Sequence, residues 1–261
     1  MQGLLSLAAL AALAASLFSA SGAAQCARET LVAATNKLIA AQTAGTPDTM
    51  GALEGVAYLE QFKTADVTKG ILKTPLTLDF NRSLHDTVQC TTYTEMVSAK
   101  GSHPYVIGTQ MHFTPEGKLT NLSSLVTDQG DWLFNATGTL YWASREKWDV
   151  IPEDQRDSRA TIQAAADAYA DIFNDKSAKV PWGSPCARLE GGAYTGNGSA
   201  NDRCDVGIPD GVALVNRRYV IDETIGAVDV FIDFATVPDS HEFRVEKGKI
   251  RYVHTITVMG G

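Results

Sequence analysis

The chain has 261 residues, 22 Lys and Arg against 30 Asp and Glu, a net charge of −8, and 44% hydrophobic residues. That balance excludes a basic face for nucleic acid or for an anionic membrane surface, because phosphate binding needs clustered Lys and Arg. Roughly 235 residues beyond a leader suffice for one large domain or two small ones.

Residues 1–24, MQGLLSLAALAALAASLFSASGAA, carry no charge and hold an apolar run from Leu4 to Phe18. Ala20, Gly22, Ala23 and Ala24 supply small residues for cleavage before Gln25, so the segment reads as a secretory signal peptide without a basic n-region. The run is shorter than the ~20 residues of a membrane span, and no later segment approaches that length. The expected location is secreted or in the lumen of the secretory pathway, with no membrane partner. Four N-x-S/T sequons, at Asn81, Asn121, Asn135 and Asn197, are candidate glycosylation sites in such a compartment. Four cysteines suit an oxidising route. Cys186–Cys204 would close a short Gly-rich loop, and Cys26–Cys90 would tie the mature N-terminus to the body.

A first helix is expected over Glu29–Gly45, with Leu31, Ala34, Leu38 and Ala41 at helical spacing. Strand-rich segments follow at Asn81–Val97 and Tyr105–Val126. Residues 129–156 form a connector holding Trp132, Trp142 and Trp148, expected to pack the halves together, with a ligand-facing tryptophan as the lesser reading. A second helix is expected over Arg159–Asp175, capped by Asp157 or Ser158. Pro181–Gly196 reads as a Gly-rich loop, either a disulfide-stapled surface loop with an Arg188–Glu190 pair or a pocket rim. Strand-rich Asn216–Phe234 and a hairpin over Pro238–Val258 complete the chain.

The chain therefore says similar things twice. Arg82-x-x-x-Asp86 recurs as Arg218-x-x-x-Asp222, and Glu116-Gly117-Lys118-Leu119 recurs as Lys247-Gly248-Lys249-Ile250. A structural ion pair is the simpler reading of each Arg/Asp spacing. The expected organisation is α+β: residues 25–128 and 157–261 as two similar helix-plus-antiparallel-meander halves, packed together around the connector.

VPWGSPCARLEGGAY (Val180–Tyr194), NRRYVIDETIGAVDVF and SHEFRVEKGKIRYVHTIT together resemble a family of secreted fungal proteins catalogued as a domain of unknown function, over nearly all of the mature chain. The repeated helix and meander also resembles a duplicated nuclear-transport-factor-2-like, SnoaL-type cone. That fold hosts cyclases, isomerases, dehydratases and epoxide hydrolases, a likeness of fold that establishes no activity. None of their catalytic motifs matches here residue by residue.

Known cofactor and catalytic motifs fail. Gly196–Asn201 is a fragment of a Gly-x-Gly pattern in a polar loop, and there is no Walker loop, G-x-S-x-G elbow or His-Glu-x-x-His. No cofactor and no metal are expected. In AVDVFIDF, Val228, Val230, Ile232 and Phe234 share one face, so Asp229 and Asp233 are expected in solvent.

The hairpin is the most pointed feature. With Lys247-Gly248 as a two-residue turn, Val245 faces Ile250, Phe243 faces Tyr252, and His241 faces His254. Two opposed imidazoles on a buried face are either satisfied core histidines or a proton-transfer pair. The same register in the first half sets Gln110 opposite Ser123, on the face of Asn121. A slip of one residue would reverse every side chain. The expected activity is cofactor-independent acid–base tailoring of a hydrophobic secondary metabolite, by epoxide hydrolysis, cyclisation or isomerisation of a polyketide or terpenoid. His254 and His241 would move protons, a carboxylate, Asp222 or Asp239 with Asp222 preferred, would orient a ring, and Tyr252 would donate a hydrogen bond. The alternative is a secreted, non-catalytic binding protein for a small lipophilic ligand. The oligomeric state is open.

Overall fold

The computed structural model describes residues 26–260; the leader expected over residues 1–24 lies outside them. Three α-helices, α1 (Arg28–Ala44), α2 (Ala136–Ala143) and α3 (Arg159–Asp171), accompany two six-stranded sheets. The first sheet comprises β1 (Ala57–Glu60), β2 (Lys63–Thr64), β3 (Phe80–Asp86), β4 (Thr91–Ser98), β5 (Tyr105–Phe113) and β6 (Leu119–Thr127), in spatial order β2-β1-β6-β5-β4-β3. The second comprises β7 (Trp182–Glu190), β8 (Ala193–Tyr194), β9 (Leu214–Asp222), β10 (Ala227–Phe234), β11 (Val237–Glu246) and β12 (Lys249–Thr257), in the equivalent order β8-β7-β12-β11-β10-β9. The molecule is α+β, with two similar halves.

Neither sheet is a pure antiparallel meander. β1 runs parallel to β6 and β7 parallel to β12, so each sheet is mixed. Strand β7 occupies the stretch read above as a loop. Its Gly, Pro and Cys disguise it, while its consecutive residues Cys186, Ala187, Arg188 and Leu189 are all buried, so both faces are covered.

The layers run α1, first sheet, second sheet, α3. Leu38 of α1 packs with Leu72, Met96, Ile107, Met111 and Leu122. Ile162, Tyr169 and Phe173, on and just beyond α3, pack with Val228, Val230, Phe243, Val245 and Val253. Between the sheets, Tyr93, Val106 and Leu125 meet Val220, Phe231 and Ile256. Each such fully buried side chain contributes about 1.5–3 kcal/mol. The sheets approach closely because Gly108 has no side chain: a Cβ there would lie 3.0 Å from the Tyr93 ring and 3.1 Å from Ile256 Cδ1.

Local chemistry sets the helix ends. Gly45 closes α1 at φ 66°, its N–H donating to Ala41 O, a left-handed cap that glycine adopts without a Cβ clash. Ser158 caps α3 by accepting from Thr161 N, and Asn135 caps α2 by accepting from Gly138 N. The disulfides are Cys26–Cys90, which holds the start of α1 to the β3–β4 turn, and Cys186–Cys204, which holds β7 to the segment before β9. Both fit an oxidising compartment. Among the described residues, no helix is long and apolar enough to cross a membrane.

The repeated Arg/Asp spacing does make ion pairs, but not the local ones expected. Asp222 takes both guanidinium nitrogens of Arg28, at 2.8 and 2.7 Å, and Asp86 takes both of Arg159, at 2.8 and 2.6 Å. Each carboxylate is thus bound by the helix of the other half. Asp222 also accepts from His85 N across the same boundary, and Asp86 from Ile221 N. Burial would raise the Asp222 carboxyl; its bonds to His85 and Arg28 win and hold it down at about 2.

Asp229 is a second correction. It is fully buried, because the first sheet covers the face of β10 that was expected in water. Gln110 Nε2 and Ser240 Oγ each donate to it at 2.6 Å. Burial pushes its carboxyl far above the usual range, outweighing those two bonds. Asp233, in contrast, is half-buried and accepts from Asn216.

Candidate active site

The register of the β11–β12 hairpin decides what its histidines can do. Glu246 pairs with Lys249 and Val245 with Ile250, as the turn predicts. Arg251 is then an extra residue: Arg244 pairs with Tyr252, Glu242 with His254, and His241 with Thr255. The bulge shifts everything beyond it by one position and reverses the facing. His241 and His254 therefore lie on opposite faces of the second sheet, and the expected opposed pair does not form. The first-half register holds, with Gln110 opposite Ser123.

His254 faces the first sheet. Its Nδ1 lies 3.0 Å from Glu95 Oε1 and its Nε2 lies 2.7 Å from Glu146 Oε2. Arg82 reaches into the same cluster, donating to Glu95 at 2.7 Å and to Glu242 at 2.5 Å. Trp148 stacks on the Arg82 guanidinium at 3.7 Å and abuts the rings of Tyr252 and His254, so this tryptophan joins the two halves. Burial alone would lower the His254 pKa; the Glu95 and Glu146 carboxylates overcome it and push it up to about 10. For Glu95, burial acts upward but His254 and Arg82 win, holding it at about 2. Glu242 goes the other way, raised by burial more than Arg82 lowers it. An imidazolium fixed by two carboxylates is a structural cation and a poor proton carrier near neutrality.

Glu95, Glu242 and His254 bring ligand atoms within 4.8 Å of one another, a spacing that a metal ion could use. Arg82 already supplies the positive charge at their centre, so the donor set fits a guanidinium better than a divalent ion. Tyr252 stacks with Trp148 beside this cluster, and Asp222 is committed to Arg28. Three of the four residues expected to form the site thus serve the junction between the halves.

His241 faces α3 and lines a cavity of about 260 Å³. The walls are mainly apolar, from Trp132, Phe173, Phe234, Val237 and Met259 among others. Trp132 is 48% exposed and, unlike Trp148, belongs to this cavity and not to the junction. The polar lining converges from four elements: Tyr169 on α3, Arg188 and Glu190 on β7, Asp239 and His241 on β11, and Thr255 and Thr257 on β12. His241 Nδ1 lies 2.8 Å from Asp239 Oδ2, off the line of a good hydrogen bond. Asp239 Oδ1 accepts from Thr257 Oγ1 at 2.7 Å. The His241 ring packs against Tyr169, 5.3 Å between centroids, and stacks with Phe243.

Ten buried side-chain polar atoms among the described residues have no hydrogen-bond partner, and five belong to this lining: Tyr169 Oη, Arg188 Nε, Asp239 Oδ2, His241 Nδ1 and Thr255 Oγ1. His241 Nδ1, Asp239 Oδ2 and Arg188 Nε still lie in charged contacts, so Tyr169 Oη and Thr255 Oγ1 are the two that carry the cost of about 1–3 kcal/mol of an unpaired buried polar atom. Arg188 is anchored, donating from Nη2 to Val206 O and lying 3.1 Å from Glu190 Oε1 through Nε. Of the two carboxylates weighed for orienting a ring, Asp239 and not Asp222 stands beside His241, while Tyr169 carried no sign of a site role. Asp-x-His in a strand places both side chains on one face.

Residues 155–257 match a domain of unknown function (DUF8021). No curated protein matches the chain. The matched span covers the second half, narrower than the near-complete resemblance expected, and contains every residue lining the cavity except Trp132 and Met259. The candidate glycosylation residues Asn81, Asn135 and Asn197 are exposed, and Asn121 is half-buried on β6.

Proposed function

We propose that this chain is a cofactor-independent enzyme that performs acid–base chemistry on a hydrophobic small molecule, a polyketide- or terpenoid-type metabolite, in the second-half cavity. The observation that carries the reading is the His241–Asp239 pair in the wall of an otherwise apolar cavity. A helix followed by a six-stranded mixed sheet, given twice, supports a duplicated nuclear-transport-factor-2-like relationship, and the disulfides support secretion.

Asp239 Oδ2 lies 2.8 Å from His241 Nδ1, so a small rotation of the ring places the Nδ1 proton on the carboxylate and leaves Nε2 as the base. In an isomerisation Nε2 takes the proton next to a carbonyl and returns it at the far end of the allylic system. In an epoxide opening the imidazole removes a proton from water as the water oxygen attacks carbon, and returns it to the oxygen released from the ring. Tyr169, whose hydroxyl burial keeps protonated, and Arg188 stand beside the pair as donors for the oxygen that gains charge.

The test assays the full chain with a β,γ-unsaturated bicyclic ketone and an aryl epoxide. Wild type should turn over at least one, and His241→Gln should lower that rate by about 10²–10⁴ with unchanged circular dichroism. Equal rates remove His241 from the mechanism. Ligand binding without turnover of either probe favours the carrier reading, in which the cavity stores a lipophilic molecule unaltered.

A further inference from the structure

We infer that the cavity selects a neutral, ring-bearing molecule with a single polar end and excludes ionised analogues of the same shape. This deepens the acid–base reading of the same cavity and rests on it for the identity of the site. The first observation is that every charged group in the lining is already engaged. Arg188 sits 3.1 Å from Glu190, and Asp239 sits 2.8 Å from His241 while accepting from Thr257. Arg188 is spent on Glu190, so an anion finds no free cation, and an ammonium reaches Asp239 only by breaking its contacts with His241 and Thr257. An ion entering such a site loses its hydration and gains no free counter-charge, a penalty of several kcal/mol per ion, whereas a neutral ring loses little.

The second observation is the division of the lining into two regions. Aromatic and aliphatic side chains form one side, and the polar atoms gather around Tyr169, His241 and Thr255. Tyr169 Oη and Thr255 Oγ1 are hydroxyls without partners, and a hydroxyl both donates and accepts. They suit a carbonyl or hydroxyl oxygen at one end of a flat ring system, and they offer nothing a carboxylate or ammonium would prefer over water. The volume of about 260 Å³ equals roughly nine waters at ~30 Å³ each, which admits a fused bicyclic ring.

Calorimetric titration of the full chain at neutral pH with three isosteric probes tests this. The probes are 2-naphthol, 2-naphthoate and 2-naphthylmethylammonium. Saturable binding of 2-naphthol is expected, with both ions at least tenfold weaker. Tyr169→Phe should weaken 2-naphthol about 3–10-fold, the loss of one neutral hydrogen bond, and Val237→Trp, at the cavity wall, should abolish its binding. Equal or tighter binding of either ion overturns the inference, as does absence of binding by all three. So does 2-naphthol affinity unchanged in Val237→Trp. Selective binding of 2-naphthol without turnover of the ketone or epoxide upholds the inference while removing the catalytic reading.

Discussion

The two halves share a strand order yet treat the space under their helices in opposite ways. Arg82 pairs with Glu95 as Arg218 pairs with Phe231, and from that alignment Thr109, Ile107 and Ser124 occupy the positions of His241, Asp239 and Thr255. Thr109 and Ser124 bond to each other at 2.9 Å, so the first half leaves neither hydroxyl unpaired. The segments between the second and third strands differ as well. In the first half that segment folds under α1, inserting Ile71, Leu72 and Leu76, and buried Gln42 pins it by donating to Ile71 O and Thr74 O at 3.0 Å. In the second half the corresponding segment packs Cys204, Ile208 and Val212 against the core but only Gly207 and Pro209 border the cavity, and Phe173 stands where helix equivalence puts Gln42. One sheet has a filled core and the other a lined cavity, from the same architecture. A cavity needs a partner that does not collapse.

Making the junction of the second half resemble the first should cost most. His254→Ser copies Ser123, its register equivalent, and leaves Glu95 and Glu146 without their shared cation. Chemical denaturation should report a loss of about 3–5 kcal/mol; a loss below ~1 kcal/mol would mean Arg82 alone neutralises the cluster. Emptying the filled half comes next. Leu72→Ala should cost about 2–5 kcal/mol and leave 2-naphthol binding within twofold, since the occupied cavity lies in the other half. The crossed ion pairs offer the smallest and most symmetrical test. Asp86→Asn and Asp222→Asn should each cost about 1–3 kcal/mol and agree within ~1 kcal/mol, because each removes one carboxylate from one foreign arginine.

The junction also gives stability a pH dependence. His254 titrates near 10 when folded against an ordinary 6.5, so its contribution is complete below 6.5 and fades as pH rises towards 10. Glu95 titrates near 2 against 4.5, so its contribution is complete above 4.5 and fades as pH falls towards 2. Asp229, raised by burial, binds its proton more tightly folded than unfolded and adds to the decline above its ordinary 3.8. The urea midpoint should therefore be highest on the weakly acidic side of neutrality and fall by pH 9. His254→Ser should flatten the alkaline limb; an unchanged limb would exclude His254 as its source.

Periodicity exposed both long helices, because Leu31, Leu38, Ile162 and Tyr169 each face a sheet at regular spacing. The first hairpin also shifts register, between His112 and Phe113, yet Gln110 still faces Ser123 as the turn-based reading expects. The second register was not legible: a bulge at Arg251 is compatible with the same residues in either facing, and only packing against two neighbouring layers selects one. Asp229 misled for a related reason. A strand with one apolar face looks half-solvated until the other sheet is known to cover it. His241, Asp239 and the Arg188 rim were each legible as candidates, whereas Tyr169 was not, and only contacts between α3, β7 and β11 bring them to one cavity.

The crossed arginines carry a consequence for how such a molecule can change over time. Arg28 with Asp222 and Arg159 with Asp86 give each half a countercharge that it does not itself possess, as in a symmetric dimer. Here the peptide connection makes the partnership independent of protein concentration. Two identical subunits must alter both copies of a cavity at once. A single chain holding both can spend one as scaffold and free the other for chemistry.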